Sequence, residues 1–322
     1  MEKPLREILL TCLHRDENRL DPTALSVLTG AEWMALVEMA TRHGVAPLVY
    51  QRLKVPALAG AVPDDVLERL RRAYLHTAAS NVRLYEELQV LLLALHEVEI
   101  PVLILKGAYL AANVYRNVAL RPMSDIDLLV PASMAREAWR VLKELGYRLI
   151  YPATETLIPS FGKDFICQKQ GNFAPVEVHW TIRLAEETEP MNGDELWKNA
   201  RAVRLAETGA DTATLSLEDF LLHLCLHASY QHEFDFGLRA LCDIAVFIER
   251  FESEIDWPAL RARVLHHRWR RGVCLVLYLA SVRTGAAVPA GVLAALEPAD
   301  WSAEVIEQAE RRLFDAGIGT TA

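Results

Sequence analysis

Apolar residues recur at helical spacing over most of the chain and at strand spacing only in its middle. Leu25 to Val55 reads as short helical runs broken at Gly30, Gly44 and Pro47. Pro63-Asp64-Asp65 opens a long helix, because proline fits a first turn and carboxylates meet the positive end of the helix dipole. Val66, Leu70 and Tyr74, then Leu84, Leu88, Leu91 and Leu95, continue that helix on one apolar face. A run of this length bridges from the first region into the second.

The middle of the chain changes period. Val102-Leu103-Ile104-Leu105 is a short apolar run after a proline, and Ile126 with Leu128-Leu129-Val130, closed by Pro131, is a second. Ser133 is expected to cap a helix reaching Leu145, with Gly146 as its stop. Phe165-Ile166-Cys167 and Val176-Glu177-Val178-His179-Trp180 are further strands, separated by the turn-like Gln170-Gly171-Asn172. Helices then return: Ser216-Leu217-Glu218-Asp219 caps one through Tyr230, and another runs from about Gly237 to Arg250. The expected fold is α+β, a small mixed-sheet core at 99–185 between an N-terminal helical region at 1–98 and a C-terminal helical domain at 186–322.

Composition narrows the function classes. With 322 residues, 52% apolar and 24% charged, the chain can bury the cores of two or three domains. Its net charge of −9 disfavours a polynucleotide substrate, which calls for a basic stripe to neutralise phosphates. The densest basic stretch, His266-His267-Arg268-Trp269-Arg270-Arg271, reads as a solvated or structural helix face. Five scattered cysteines without a CxxC pair suit reduced thiols in a cytoplasm. The first residues lack the basic-then-apolar order of a signal peptide, and the apolar stretch from Val90 to Leu105 is interrupted by His96, Glu97, Glu99 and Pro101. A soluble, cytoplasmic protein is expected.

Two elements carry candidate chemistry. In Leu103-Ile-Leu-Lys106-Gly107-Ala-Tyr-Leu110 a strand runs into a helix, whose first turn presents unpaired N–H groups suited to phosphate. Gly107 allows close approach of a ligand, and Lys106 adds a point charge. In Arg121-Pro-Met-Ser124-Asp125-Ile-Asp127-Leu-Leu-Val130 two aspartates at i and i+2 share one strand face. Paired carboxylates amid Ile126 and Leu128-Leu129-Val130 require a metal or basic partners. Taken alone, the pair is more simply read as acids at a strand edge, capping or ion-paired. Glu177, with His179 on the same face of another strand, supplies a third carboxylate for a two-metal site.

Together, the strand–Lys-Gly–helix unit, the Arg121–Val130 motif and Val176-Glu-Val-His-Trp180 resemble the uncharacterised nucleotidyltransferase family of bacteria, within the polymerase-β-like superfamily. The motifs span residues 101–182; the helical flanks Trp33 to Leu48 and Leu222 to Asp243 are similar with less specific motifs. The resemblance implies that Lys106 and Gly107 form the triphosphate-holding turn, here Lys-Gly instead of Gly-Gly or Gly-Ser. It implies that Asp125, Asp127 and Glu177 bind two magnesium ions, with Glu where the superfamily often has Asp. Ser124 and His179, inside the same motifs, are carried as nucleotide-binding candidates. The implied reaction is in-line attack by an acceptor hydroxyl on the α-phosphate of a nucleoside triphosphate, releasing pyrophosphate. Asp125 and Asp127 would hold both metals, Glu177 would share one and help deprotonate the acceptor, and Arg121 and Lys106 would offset phosphate charge.

His223 and His227 lie at i,i+4 with His232 nearby, but Leu224 stands where a zincin helix needs its Glu, which favours structural or substrate-contacting roles. Arg239 and Asp243, four apart, are expected to pair on their helix. His227, Arg239 and Asp243 are secondary candidates for substrate contacts. Two other readings stand: a degenerate member that binds nucleotide or a partner without turnover, and a DxD-type glycosyltransferase using a nucleotide sugar. The second expects alternating strands and helices before the motif, where this chain is helical. The acceptor is expected to be a small molecule or a protein hydroxyl, with nucleic acid and membrane disfavoured.

Overall fold

The strand signals of the middle region resolve into one mixed sheet. The protein's structure is a computed structural model describing residues 2–152, 154–160, 162–171, 174–182, 191 and 193–315. Its strands are β1 (Leu103–Ile104), β2 (Ile126–Leu129), β3 (Tyr147–Tyr151), β4 (Asp164–Lys169), β5 (Val176–His179), β6 (Arg201–Arg204) and β7 (Asp211–Thr214). They are ordered β3-β4-β5-β2-β1-β7-β6. β2 runs parallel to β5 and antiparallel to β1, while β1 runs parallel to β7. Every residue of β1 and β2 is buried, as expected for central strands covered on both faces. The expected α+β class, a mixed sheet with helical flanks, is what the structure has.

Three strands lie where the apolar pattern gives none. β3 is half exposed along its length, and β6 and β7 are short and polar, so no apolar run marks them. β7 is held instead by pairing beside β1, with the Thr214 hydroxyl donating to the Ile104 carbonyl at 2.7 Å. The expected cap at Ser133 also differs. Pro131 leads into a single 3₁₀ turn, Ala132–Met134, and the helix begins at Ala135 with no side-chain cap. The Ser133 hydroxyl therefore lies a turn too early. Gly146, at φ +90°, follows that helix as anticipated. Of the turn expected at Gln170-Gly171-Asn172, Asn172 lies outside the described residues.

The chain divides into two compact units. One comprises Ala79–Val118 and Pro122–His223 and holds the whole sheet. The other comprises Met1–Ala78, Ala119–Arg121 and Leu224–Ala322. In it, Trp33, Leu36, Val49, Leu53, Leu70 and Leu238 belong to one apolar core. Its helix Gly30–Arg42 starts at a capping box, Thr29 with Glu32, and ends before Gly44 at φ +65°. Pro47 sits in the first turn of the next helix, Ala46–Leu53. The helix opened by Pro63 is continuous from Asp64 to Glu97, 34 residues, and contributes to both units. Among the described residues no helix is long and apolar enough to cross a membrane.

Candidate nucleotidyl-transfer site

Sheet register assembles the site from three strands. In the parallel pair β2–β5, Asp127 lies opposite Glu177 and Leu129 opposite His179. In the antiparallel pair β4–β5, Asp164 lies opposite His179. Strand alternation puts Glu177 and His179 on one face, so two acids and an imidazole converge. Donor atoms of Asp127, Glu177 and His179 all lie within 4.8 Å of one another. His179 Nε2 is 3.1 Å from Asp127 Oδ1 and 3.6 Å from Glu177 Oε2, while Nδ1 is 3.4 Å from Asp164 Oδ2. Asp125 precedes β2, is half-buried, and accepts from the Ser124 hydroxyl at 3.3 Å. It stands outside the group of three.

β1 delivers the cation. It ends at Ile104, and after Leu105 the short helix Lys106–Tyr109 follows, continued by a π-helical turn over Leu110–Val114. Lys106 takes a left-handed backbone, φ +37°, a conformation that costs a side-chain-bearing residue about 1 kcal/mol or more. Its ammonium donates to Asp127 Oδ1 at 2.6 Å, and both side chains are buried. Gly107 is buried in the same first turn.

The electrostatics follow from this crowding. Burial alone would raise the Asp127 carboxyl, but Lys106 and His179 outweigh it and hold Asp127 well below the usual carboxylate range. Burial pulls Lys106 down, and Asp127 more than reverses it, so the lysine titrates above its ordinary value. Glu177 is pushed up to about 7, first by burial and then by the Asp127 charge, with Lys106 opposing and Asp125 and Asp164 adding. Burial also lowers Lys163, against the pull of Asp164. His223 is held far below its ordinary value first by burial, with Lys106 and His179 adding.

Two carboxylates and an imidazole at this spacing fit a divalent cation. The sequence pattern did not single out Asp164 or Lys163. Asp164 opens an ordinary-looking strand, and only its register opposite His179 brings it to the site. Lys163 is half-buried beside these acids and makes no ion pair among the described residues.

The remaining candidates lie in the helical unit. Arg121 is buried and grips Asp243, Nη2 to Oδ2 at 3.0 Å and Nε to both oxygens at 3.3 Å. Arg239 places its guanidinium 5.1 Å from the centre of the Phe236 ring. His227 and His232 approach with their Nε2 atoms 3.2 Å apart, both against Phe236. The basic stretch at 266–271 is partly structural and partly solvated, with His266, Arg268 and Arg271 exposed. His267 stacks on Trp269 with ring centres 4.4 Å apart, and Arg271 pairs with Asp300 at 2.9 Å. Arg270 bonds the carbonyls of Leu296 and Glu297, the end of the helix Ala290–Leu296.

Residues 29–285 match the family model described as uncharacterised nucleotidyltransferase. The chain belongs to this family. It is accordingly a nucleotidyltransferase, as its motifs led one to expect. No curated protein matches the sequence. Among solved structures, the antibiotic-resistance factor ANT(2'')-Ia in solution aligns at 16% identity, TM-score 0.41, over 60% of this chain and 99% of its own. Crystalline ANT(2'')-Ia in complex with adenylyl-2''-tobramycin aligns at 15% identity, TM-score 0.42, over 59% of this chain and 98% of its own.

Proposed function

We propose that this nucleotidyltransferase moves a nucleoside monophosphate from a nucleoside triphosphate to a hydroxyl of a small molecule or protein, with magnesium as the cation. The observation that carries the reading is the convergence of Asp127, Glu177 and His179 within 4.8 Å, with Lys106 on Asp127. When bound, a divalent cation would neutralise charge on the phosphates and polarise the reacting oxygens. Asp127, Glu177 and His179 would hold it, with Asp125 at the strand's entry available to a second.

The chain's own residues do the rest. Glu177, raised to about 7, accepts a proton near neutral pH and is the candidate base for the acceptor hydroxyl. Gly107 and the first turn after β1 face the triphosphate with backbone N–H groups. Lys106 neutralises Asp127 and lies at the start of the same turn, within the same charge system. Lys163, half-buried and without an ion pair among the described residues, is the cation available to a phosphate oxygen. Arg121, His227, Arg239 and Asp243 remain candidates for substrate contacts, although Asp243 already engages the Arg121 guanidinium. The net charge of −9 supports an acceptor other than a nucleic-acid end, and five scattered cysteines without a CxxC pair support a cytoplasmic setting.

The test is pyrophosphate release by the purified full chain with each NTP, magnesium and a panel of hydroxyl acceptors. Wild-type release should fall at least about a hundredfold in Asp127→Asn and in Glu177→Gln, the scale expected for loss of an electrostatic group in the transition state. Magnesium-dependent nucleotide binding should weaken in Asp125→Asn/Asp127→Asn. Equal binding and turnover in wild type and these variants would sink the reading.

A further inference from the structure

Strand register places Asp127 and Glu177, but Asp125 lies before β2 begins, where register does not reach it. Two backbone anchors bracket it instead. On its C-terminal side the Ile126 N–H donates to the Pro175 carbonyl at 3.1 Å, which ties the entry of β2 to that of β5. On its N-terminal side the Met123 N–H donates to Asn81 Oδ1 at 3.2 Å. Asn81 Nδ2 in turn donates to the Val118 carbonyl at 2.6 Å. One carboxamide thus closes both ends of the connection from Val118 to Met123.

Asn81 is fully buried, midway along the helix Asp64–Glu97. A carboxamide that deep costs free energy unless its donor and its acceptor are both met, and these two backbone groups meet them. Tyr85, one turn further on the same face, donates its hydroxyl to the Ala108 carbonyl at 2.7 Å, within the short helix that Lys106 begins. The long helix therefore holds two segments that carry site residues: the turn of Lys106 through Tyr85, and the approach to Asp125 through Asn81. The charge of Asp125 acts on both Lys106 and Glu177, so its placement is felt across the site. We infer that Asn81 is a positioning residue: its carboxamide fixes Met123 relative to Val118 and so sets Asp125 at the entry of β2.

This role rests on the transfer reaction of the proposed function, and the experiment separates the two. Pyrophosphate release by the full chain is compared in wild type, Asn81→Ala, Asp125→Asn and the double variant, at a temperature where all are folded. Asn81→Ala should lower kcat/KM roughly tenfold to a hundredfold, the cost of a misplaced group. Because Asn81 acts through Asp125, its further effect in the Asp125→Asn background should stay within about threefold, whereas a merely structural defect would multiply in full. Full multiplication, an Asp125→Asn as active as wild type, or an indifferent Asn81→Ala overturns the inference alone. Should Asn81→Ala fail to fold, Asn81→Ser, too short to reach both backbone groups, replaces it with the same expectations. Amide hydrogen exchange of Met123 in the wild type gives a readout independent of turnover. Protection is expected, and exchange at the rate of an open loop overturns the inference whatever the variants do. No release by the wild type overturns the functional reading, and the inference with it.

Discussion

At the scale of single residues, the site is a balance of buried charges, and its members respond to pH and substitution in opposite directions. Glu177 has a folded pKa of about 7 against an ordinary 4.5, so the folded chain holds that proton more tightly than the unfolded one. Its favourable contribution is complete below about 4.5 and is lost as pH rises through about 7. The groups around it are the acids Asp125, Asp127 and Asp164, the cations Lys106 and Lys163, and the His179 ring. In EDTA, Tm should therefore fall between pH 5 and pH 7, and Glu177→Gln should flatten that slope. A Tm profile that is the same in both would contradict the assignment.

Lys106 gives the complementary case. Removing one partner of a buried ion pair costs about 3–5 kcal/mol, because the other charge is left uncompensated. Lys106→Met should lose stability of that order in urea unfolding with EDTA. Millimolar magnesium should restore part of it, since a cation can then answer Asp127. A variant as stable as wild type in EDTA would show that the pair contributes nothing net.

At the scale of elements, the clearest constraint lies in the helical unit. The helix Arg270–Leu279 packs on the π-helical turn His227–Gln231 at Gly272. A Cβ there would lie 2.4 Å from Tyr230 Cε2 and 2.6 Å from Ser229 Oγ. Ser229 is itself tied to the Cys225 carbonyl at 2.7 Å, so it cannot yield cheaply. Gly272→Ala should destabilise by about 1–3 kcal/mol although alanine is the better helix former. Chemical denaturation checks it; an unchanged midpoint would show that the two elements separate without cost. The five cysteines are elements' core residues of the same kind. All are buried, no two form a disulfide, and burial raises Cys12 to about 12 and Cys274 to about 11.

At the scale of the whole molecule, the net charge of −9 sets what the surface attracts. In the one cluster that looked basic in sequence, Arg270 bonds a helix-end carbonyl, His267 stacks on Trp269 and Arg271 pairs with Asp300, while His266 and Arg268 are exposed. Fluorescence anisotropy with labelled single-stranded DNA and RNA should show no binding tighter than about 100 μM at physiological salt, the weak end of non-specific association. Micromolar binding that weakens steeply with salt would reopen a polynucleotide acceptor.

Local pattern was enough for the long helix from Asp64, the strands bearing Asp127 and Glu177, the lysine-glycine turn and the helix capped at Ser216, because each is written in neighbouring residues. The family followed from those motifs. Pattern was not enough for β3, which is mostly exposed, nor for the polar β6 and β7: β6 pairs with the neighbouring β7, and β7 joins the sheet only through β1, 110 residues earlier. Nor could it show that Lys106 bonds Asp127, that Asp243 engages Arg121, or that Asp164 stands behind His179. Those contacts join residues 15 to 122 positions apart. Register and burial determine them, and these exist only once the sheet and the helical core have formed.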